Sequence, residues 1–124
     1  MSNILSFELL PGEVELKRIE DVVVTKTAFL SYKKLSGQDV VVTNKRVVVI
    51  NRYMPAVANL PFSIFYKESD LKSLKTPSSL LLADVKKVNE FTVLLCKGFW
   101  IFPGQKLKII DLEIFDIIQK NRNQ

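Results

Sequence analysis

The chain of 124 residues contains no histidine. That removes imidazole-based triads, imidazole metal ligands and imidazole proton shuttles together. One cysteine, Cys96, excludes an internal disulfide. It sits in the apolar run Val93-Leu94-Leu95-Cys96, where a small buried hydrophobe is the natural reading. A single thiol fits a reducing cytoplasm. The four glycines are not spaced for a dinucleotide fingerprint or a P-loop, and no Cys/His spacing suits zinc. No apolar run approaches the ~20 residues needed to cross a bilayer. Met1-Ser2-Asn3-Ile4-Leu5 has neither the basic start nor the apolar core of a signal peptide. No pair of carboxylates is flanked for acid–base work. The expectation is a soluble cytoplasmic protein, at most peripheral to a membrane. It should not be an enzyme, and it should have no cofactor, metal or small-molecule substrate.

What remains is ordinary for one globular domain over residues 1–124: 14.2 kDa, 48% apolar and 25% charged residues. The net charge of +5, with a pI near 9.4, favours acidic partners.

The most informative stretch is Asp39-Val40-Val41-Val42-Thr43-Asn44-Lys45-Arg46-Val47-Val48-Val49-Ile50. Valine and isoleucine, branched at Cβ, favour a pleated surface. Asn44 tolerates the positive φ of a tight turn. A turn at Asn44-Lys45 sets Val42 against Val47, Val41 against Val48 and Val40 against Val49. By alternation, Val40, Val42, Val47 and Val49 share one purely apolar face, which should look into a core. Asp39, Val41, Thr43, Arg46, Val48, Ile50 and Arg52 share the other. Its middle is too apolar to be solvated, so another segment or another subunit should cover it.

Before the hairpin, Glu13 to Lys17 alternates polar and apolar residues, as a half-buried strand does, and continues through a bend near Glu20-Asp21 into Val22-Val23-Val24. A second strand is expected over residues 27–32 and a turn over Lys33 to Gly37. After it, Met54 to Phe62 is apolar yet carries two prolines. It reads as a loop folded back on the protein or as one inserted in a membrane or partner. A strand starts at Ile64. Ser69 to Leu74 continues it or forms one helical turn. Two more strands are expected over residues 80–88 and 91–102, joined at Asn89-Glu90, with Trp100 in a core or interface. Leu107, Ile110, Ile114, Ile117 and Ile118 then recur at helical spacing. Asp111 is placed as N-cap, with Ile110 and Phe115 as a staple, or the helix begins near Gln105. Ile114, Phe115 and Ile118 should carry its packing.

Three motifs follow in order. They are Pro11-Gly12-Glu13, then Gly37 leading into Thr43-Asn44-Lys45-Arg46, then Tyr66 with Ser69-Asp70-Leu71-Lys72. With many strands followed by one terminal helix, this pattern resembles the pleckstrin-homology-like superfold, and within it the bacterial PH and GRAM branches. The resemblance implies a mainly β fold: a bent, seven-stranded antiparallel barrel capped by the C-terminal helix. It also implies a module that works by binding. The Thr-x-x-Arg step reads as structural.

PH domains that bind phosphoinositides use basic residues on the first strands and the loop between them. The counterparts here would be Lys17, Arg18, Lys26, Lys33, Lys34, Lys45 and Arg46, although the tight K-x-n-K/R-x-R pattern is absent. Lys33, Lys34, Lys45 and Arg46 are the candidate anionic-ligand residues. Val41, Val48, Ile50, Met54, Val57, Leu60 and Phe62 are the candidate interface. The partner expected is a protein or an acidic membrane surface. The alternative is a self-assembling scaffold, with homo-oligomers formed through that interface. Nucleic acid is disfavoured, because basic residues are not interleaved with exposed aromatics.

Overall fold

The central hairpin forms in the register read from its valines. Val42 pairs with Val47, Val41 with Val48 and Val40 with Val49. The structure is a computed structural model, described here over residues 9–28, 30–53, 62–73, 79–97 and 104–123. Seven strands make a closed ring: β1 (Glu15–Ala28), β2 (Ser31–Thr43), β3 (Arg46–Asn51), β4 (Phe62–Phe65), β5 (Ser79–Val88), β6 (Phe91–Cys96) and β7 (Gln105–Ile109). Pairing of β1 with β7 closes it. A short helix, α1 (Glu68–Ser73), follows β4, and α2 (Glu113–Arg122) follows β7. Among the described residues, no helix is long and apolar enough to cross a membrane.

The ring has two unlike ends. At one, α2 lays Ile114 and Ile118, both fully buried, into the core, with Phe115 half-buried beside them. Asp111 Oδ1 accepts the Ile114 amide at 3.1 Å, although the residue at the helix N-cap is Leu112, which makes no side-chain capping bond. Lys17 near the start of β1 donates to Glu113 and lies 3.3 Å from Asp111, while Lys87 near the end of β5 lies 3.5 Å from Asp116. At the other end stand the turn between β1 and β2 and the starts of β4, β5 and β7. We call these the closed and the open end.

The face predicted to be core is core. Val40, Val42, Val47 and Val49 join Val24, Ile64, Val85, Leu94, Leu107, Ile109, Ile114 and Ile118 in one cluster inside the ring. The opposite face of the hairpin is also buried: Val41 and Val48 are fully covered and Ile50 is 4% exposed. Cover for these three side chains therefore comes from within the chain.

Three expectations change. The turn expected over Lys33 to Gly37 is instead the first half of β2, and the strand expected over residues 27–32 straddles the β1–β2 turn. That turn uses Leu30 at φ 59°, a conformation in which leucine gives no sequence signal. Residues 105–109, counted toward the helix, are a strand. Leu107 and Ile109 are buried in the ring, whereas Ile110, placed as a staple, is 50% exposed. Finally, the ring is not wholly antiparallel. β4 and β5 pair in parallel, both starting at the open end, with α1 between them in the chain. The bend near Asp21 and the turn at Asn89-Glu90 are found where expected, at φ 55° for both Asp21 and Asn89. Trp100 lies outside the described residues.

Gly37 has φ 65°, and a Cβ there would stand 2.5 Å from ring carbons of Tyr53. Gly37→Ala should therefore cost about 1–2 kcal/mol through the left-handed backbone alone, with the ring clash added. Urea unfolding checks this. In a Tyr53→Ala background the clash portion should disappear and the backbone portion remain.

Candidate functional site

Two of the sequence motifs, thirty residues apart, lie on one another at the closed end. Arg46 Nε donates to Glu13 Oε2 at 2.8 Å and Nη2 to Glu13 Oε1 at 3.1 Å, a two-pronged bond with both side chains almost wholly buried. Arg46 Nη1 reaches Ser63 Oγ at 3.2 Å. Thr43 Oγ1 donates to Glu13 at 2.7 Å and accepts the amides of Lys45 and Arg46, which pins the turn. Asn44 accepts the Val14 amide and donates to the Gly12 carbonyl. Tyr66 Oη donates to the carbonyls of Thr43 and Arg46. Burial drives the Tyr66 phenol above its ordinary pKa, so it stays a donor.

Burial alone would raise the Glu13 pKa. Hydrogen bonds from Arg46, the Leu10 amide and Thr43, with the Arg46 charge, outweigh it and hold the carboxyl below its ordinary value. This is a structural lock, and every charge in it is already answered. Arg46 is thus not available to an external anion, which corrects its assignment as a ligand residue. Lys45 is also engaged, 3.4 Å from Asp70 on α1.

Lys33 and Lys34 lie elsewhere. They sit at the open end, separated from Thr43 by roughly 30 Å of extended β2. The four candidate ligand residues therefore do not form one site. The structure splits them into an exposed pair and a structural pair.

The open end gathers a different set. Lys26 pairs with Lys33 across β1 and β2. Lys26 lies two residues beyond the buried Val24 and so faces inward. Its Nζ stands 4.5 Å above the ring of Phe62. Burial first, then the Lys33 charge, lowers its pKa. No carboxylate is bonded to Lys26 or Lys33 among the described residues. On β7, Gln105 Oε1 is buried with no hydrogen-bond partner there. It pairs with Cys96, whose thiol burial pushes up to about 12, so that sulfur is an inert wall. Beyond this mouth the hairpin tip carries Leu30, 90% exposed, and Tyr32, 65% exposed.

Of the candidate interface residues, Val41, Val48 and Ile50 are buried, and Phe62 is half-buried against the core. Met54, Val57 and Leu60 lie outside the described residues. Leu30 and Tyr32 escape sequence reasoning because the strand expected over residues 27–32 contains both. The lysine-rich run around them was the available signal.

Glu13→Ala should cost about 3–5 kcal/mol, because it strands a buried guanidinium. Replacing both partners by leucine should cost less than the single change. Glu13 ionises below its unfolded pKa, so its stabilisation is complete above that value and is lost as pH falls through the folded one. Urea midpoints followed from neutral to acid should fall steeply in the wild type and less steeply in Glu13→Gln.

Comparison with family models found no match, and comparison with curated proteins and with solved structures found none either.

Proposed function

We propose that this protein is a non-enzymatic, PH-like binding module that docks its open end on acidic membrane surfaces. The observation that carries this reading is the pairing of unanswered charge with exposed apolar bulk at one tip. Lys26, Lys33 and Lys34 lack carboxylate partners among the described residues, while Leu30 and Tyr32 project beside them. Two ammonium groups held across one strand rung repel each other, and an anion between them relieves the cost. A lipid phosphate supplies that anion. Leucine and tyrosine at the tip match the boundary between head groups and acyl chains. Leu30 also holds a left-handed backbone at φ 59°, a conformation found more often at functional loops than elsewhere. The motif order and the ring closed by α2 support the PH-like reading, from which the parallel β4–β5 pair departs.

The self-assembly reading loses one of its motives, since Val41, Val48 and Ile50 are covered within one chain.

Co-sedimentation with phosphatidylcholine vesicles, with and without phosphatidylserine, tests the proposal. Binding should require the acidic lipid and fade as salt rises. Lys33→Ala with Lys34→Ala should weaken it about 30-fold, at ~1 kcal/mol per lysine. Leu30→Ser should weaken it with charge unchanged. Because the Lys26 pKa is lowered, affinity should begin to fall with rising pH before exposed lysines titrate. Equal sedimentation with neutral and acidic vesicles, or none with either, would remove the membrane reading.

A further inference from the structure

The outside of the ring carries a second pattern, which shares Lys34 with the open end and extends from it across the sheet. One rung crosses five strands. Lys86 of β5 pairs with Val93 of β6, Val93 with Lys108 of β7, Lys108 with Thr25 of β1, and Thr25 with Lys34 of β2. Their neighbours Val85, Leu94, Leu107 and Val24 belong to the core, so these residues lie on the outer side of the ring, where Val93 is only 5% exposed between Lys86 and Lys108. With strands ~4.8 Å apart, Lys86, Lys108 and Lys34 stand at steps of roughly 10 Å. Lys106 lies one outward position along β7.

None of these four lysines has a carboxylate partner among the described residues. Asp84, on the same face of β5, lies 3.6 Å from Arg122. The Lys108 Nζ stands 4.5 Å above the ring of Phe91.

Beside this basic row runs an apolar one. Val24 and Ile109 pair and face inward, so the adjacent Val23 and Ile110 face outward, 47% and 50% exposed. Phe91, half-buried, pairs with Val88, which is 42% exposed. Val88, Phe91, Ile110 and Val23 thus mark a stripe across four strands, about 15 Å long.

We infer that this face binds an acidic amphipathic helix of a partner protein, laid across β5, β6, β7 and β1. A helix covers 15 Å in about ten residues. One with leucines at three- and four-residue spacing and glutamates along one flank would set its apolar stripe on Val88, Ile110 and Val23. Its carboxylates would then reach Lys86, Lys108 and Lys34. A bilayer fits poorly here, because short β-branched side chains lie lower than the lysines beside them. Nucleic acid fits poorly too, because Phe91, the ring beside the lysines, is half-buried beneath Lys108 and so is not open for stacking.

The test uses a fluorescein-labelled fourteen-residue peptide of Leu, Glu and Ala in that helical pattern. A scrambled peptide of the same composition, an oligouridine and phosphatidylserine vesicles serve as alternative probes. Anisotropy should show the patterned peptide binding at least tenfold more tightly than the scrambled one. Lys86→Glu with Lys108→Glu should abolish binding, and Ile110→Ser should weaken it severalfold. Lys33→Ala, which disturbs the open end alone, should leave it unchanged. Amide shift changes should centre on residues 86–93 and 106–110. All three substituted side chains on this face are at least partly exposed, and circular dichroism checks that the variants fold. Equal affinity for the scrambled peptide, shift changes centred elsewhere, or oligouridine or vesicle binding that is lost in Lys86→Glu with Lys108→Glu would each overturn the inference.

Discussion

The buried bond between Glu13 and Arg46 is the constraint on which the rest depends. A guanidinium almost fully removed from water is tolerable only with its charge matched and its donors occupied. Glu13 and Ser63 supply those partners, and each belongs to a different part of the chain. One side chain thereby fixes the lead into β1, the β2–β3 turn and β4. Thr43 and Asn44 add bonds to the same lead segment. The outer face of the hairpin can then be covered without leaving polar groups unsatisfied.

With that end locked and closed by α2, the polar surplus is displaced to the opposite end and to the outer sheet. Ion pairs concentrate near the closed end, where Lys17, Lys45 and Lys87 all meet carboxylates. The lysines of the open end and of β7 meet none among the described residues. Net positive charge, spread evenly in the composition, is therefore uneven on the molecule. That unevenness, rather than the total, distinguishes a surface for acidic partners.

Much of the fold was legible because its signals are local. Alternating valines gave the hairpin register, and Val40, Val42, Val47 and Val49 fell inside as alternation requires. Asn89 and Asp21 marked real changes of direction. Leu30 gave no such mark, so β1 and β2 were divided at the wrong places, and the apolar tip was invisible. Leu107 and Ile109 fit a helical spacing as well as a strand, and only pairing with β1 and β6 decides between them. The parallel β4–β5 pair depends on where α1 delivers the chain, which no short window of sequence encodes. For the site, Lys33 and Lys34 were legible as free charge. Lys45 and Arg46 were not legible as engaged, because their partners Asp70 and Glu13 are far along the chain.

Closure of the ring by β1 and β7 also sets the order of events in folding. Val24 must find Ile109, with most of the chain between them, before the interior of the ring is sealed. Such distant pairings carry a large loop-closure cost and place β-rich domains among the slower two-state folders. The β2–β3 hairpin, whose strands meet across a two-residue turn, can form long before. Until β7 docks, the edges of β1 and β6 that it will pair stay open, the state in which strands of separate molecules join most readily. The step that completes the ring is thus also the one that protects it from aggregation.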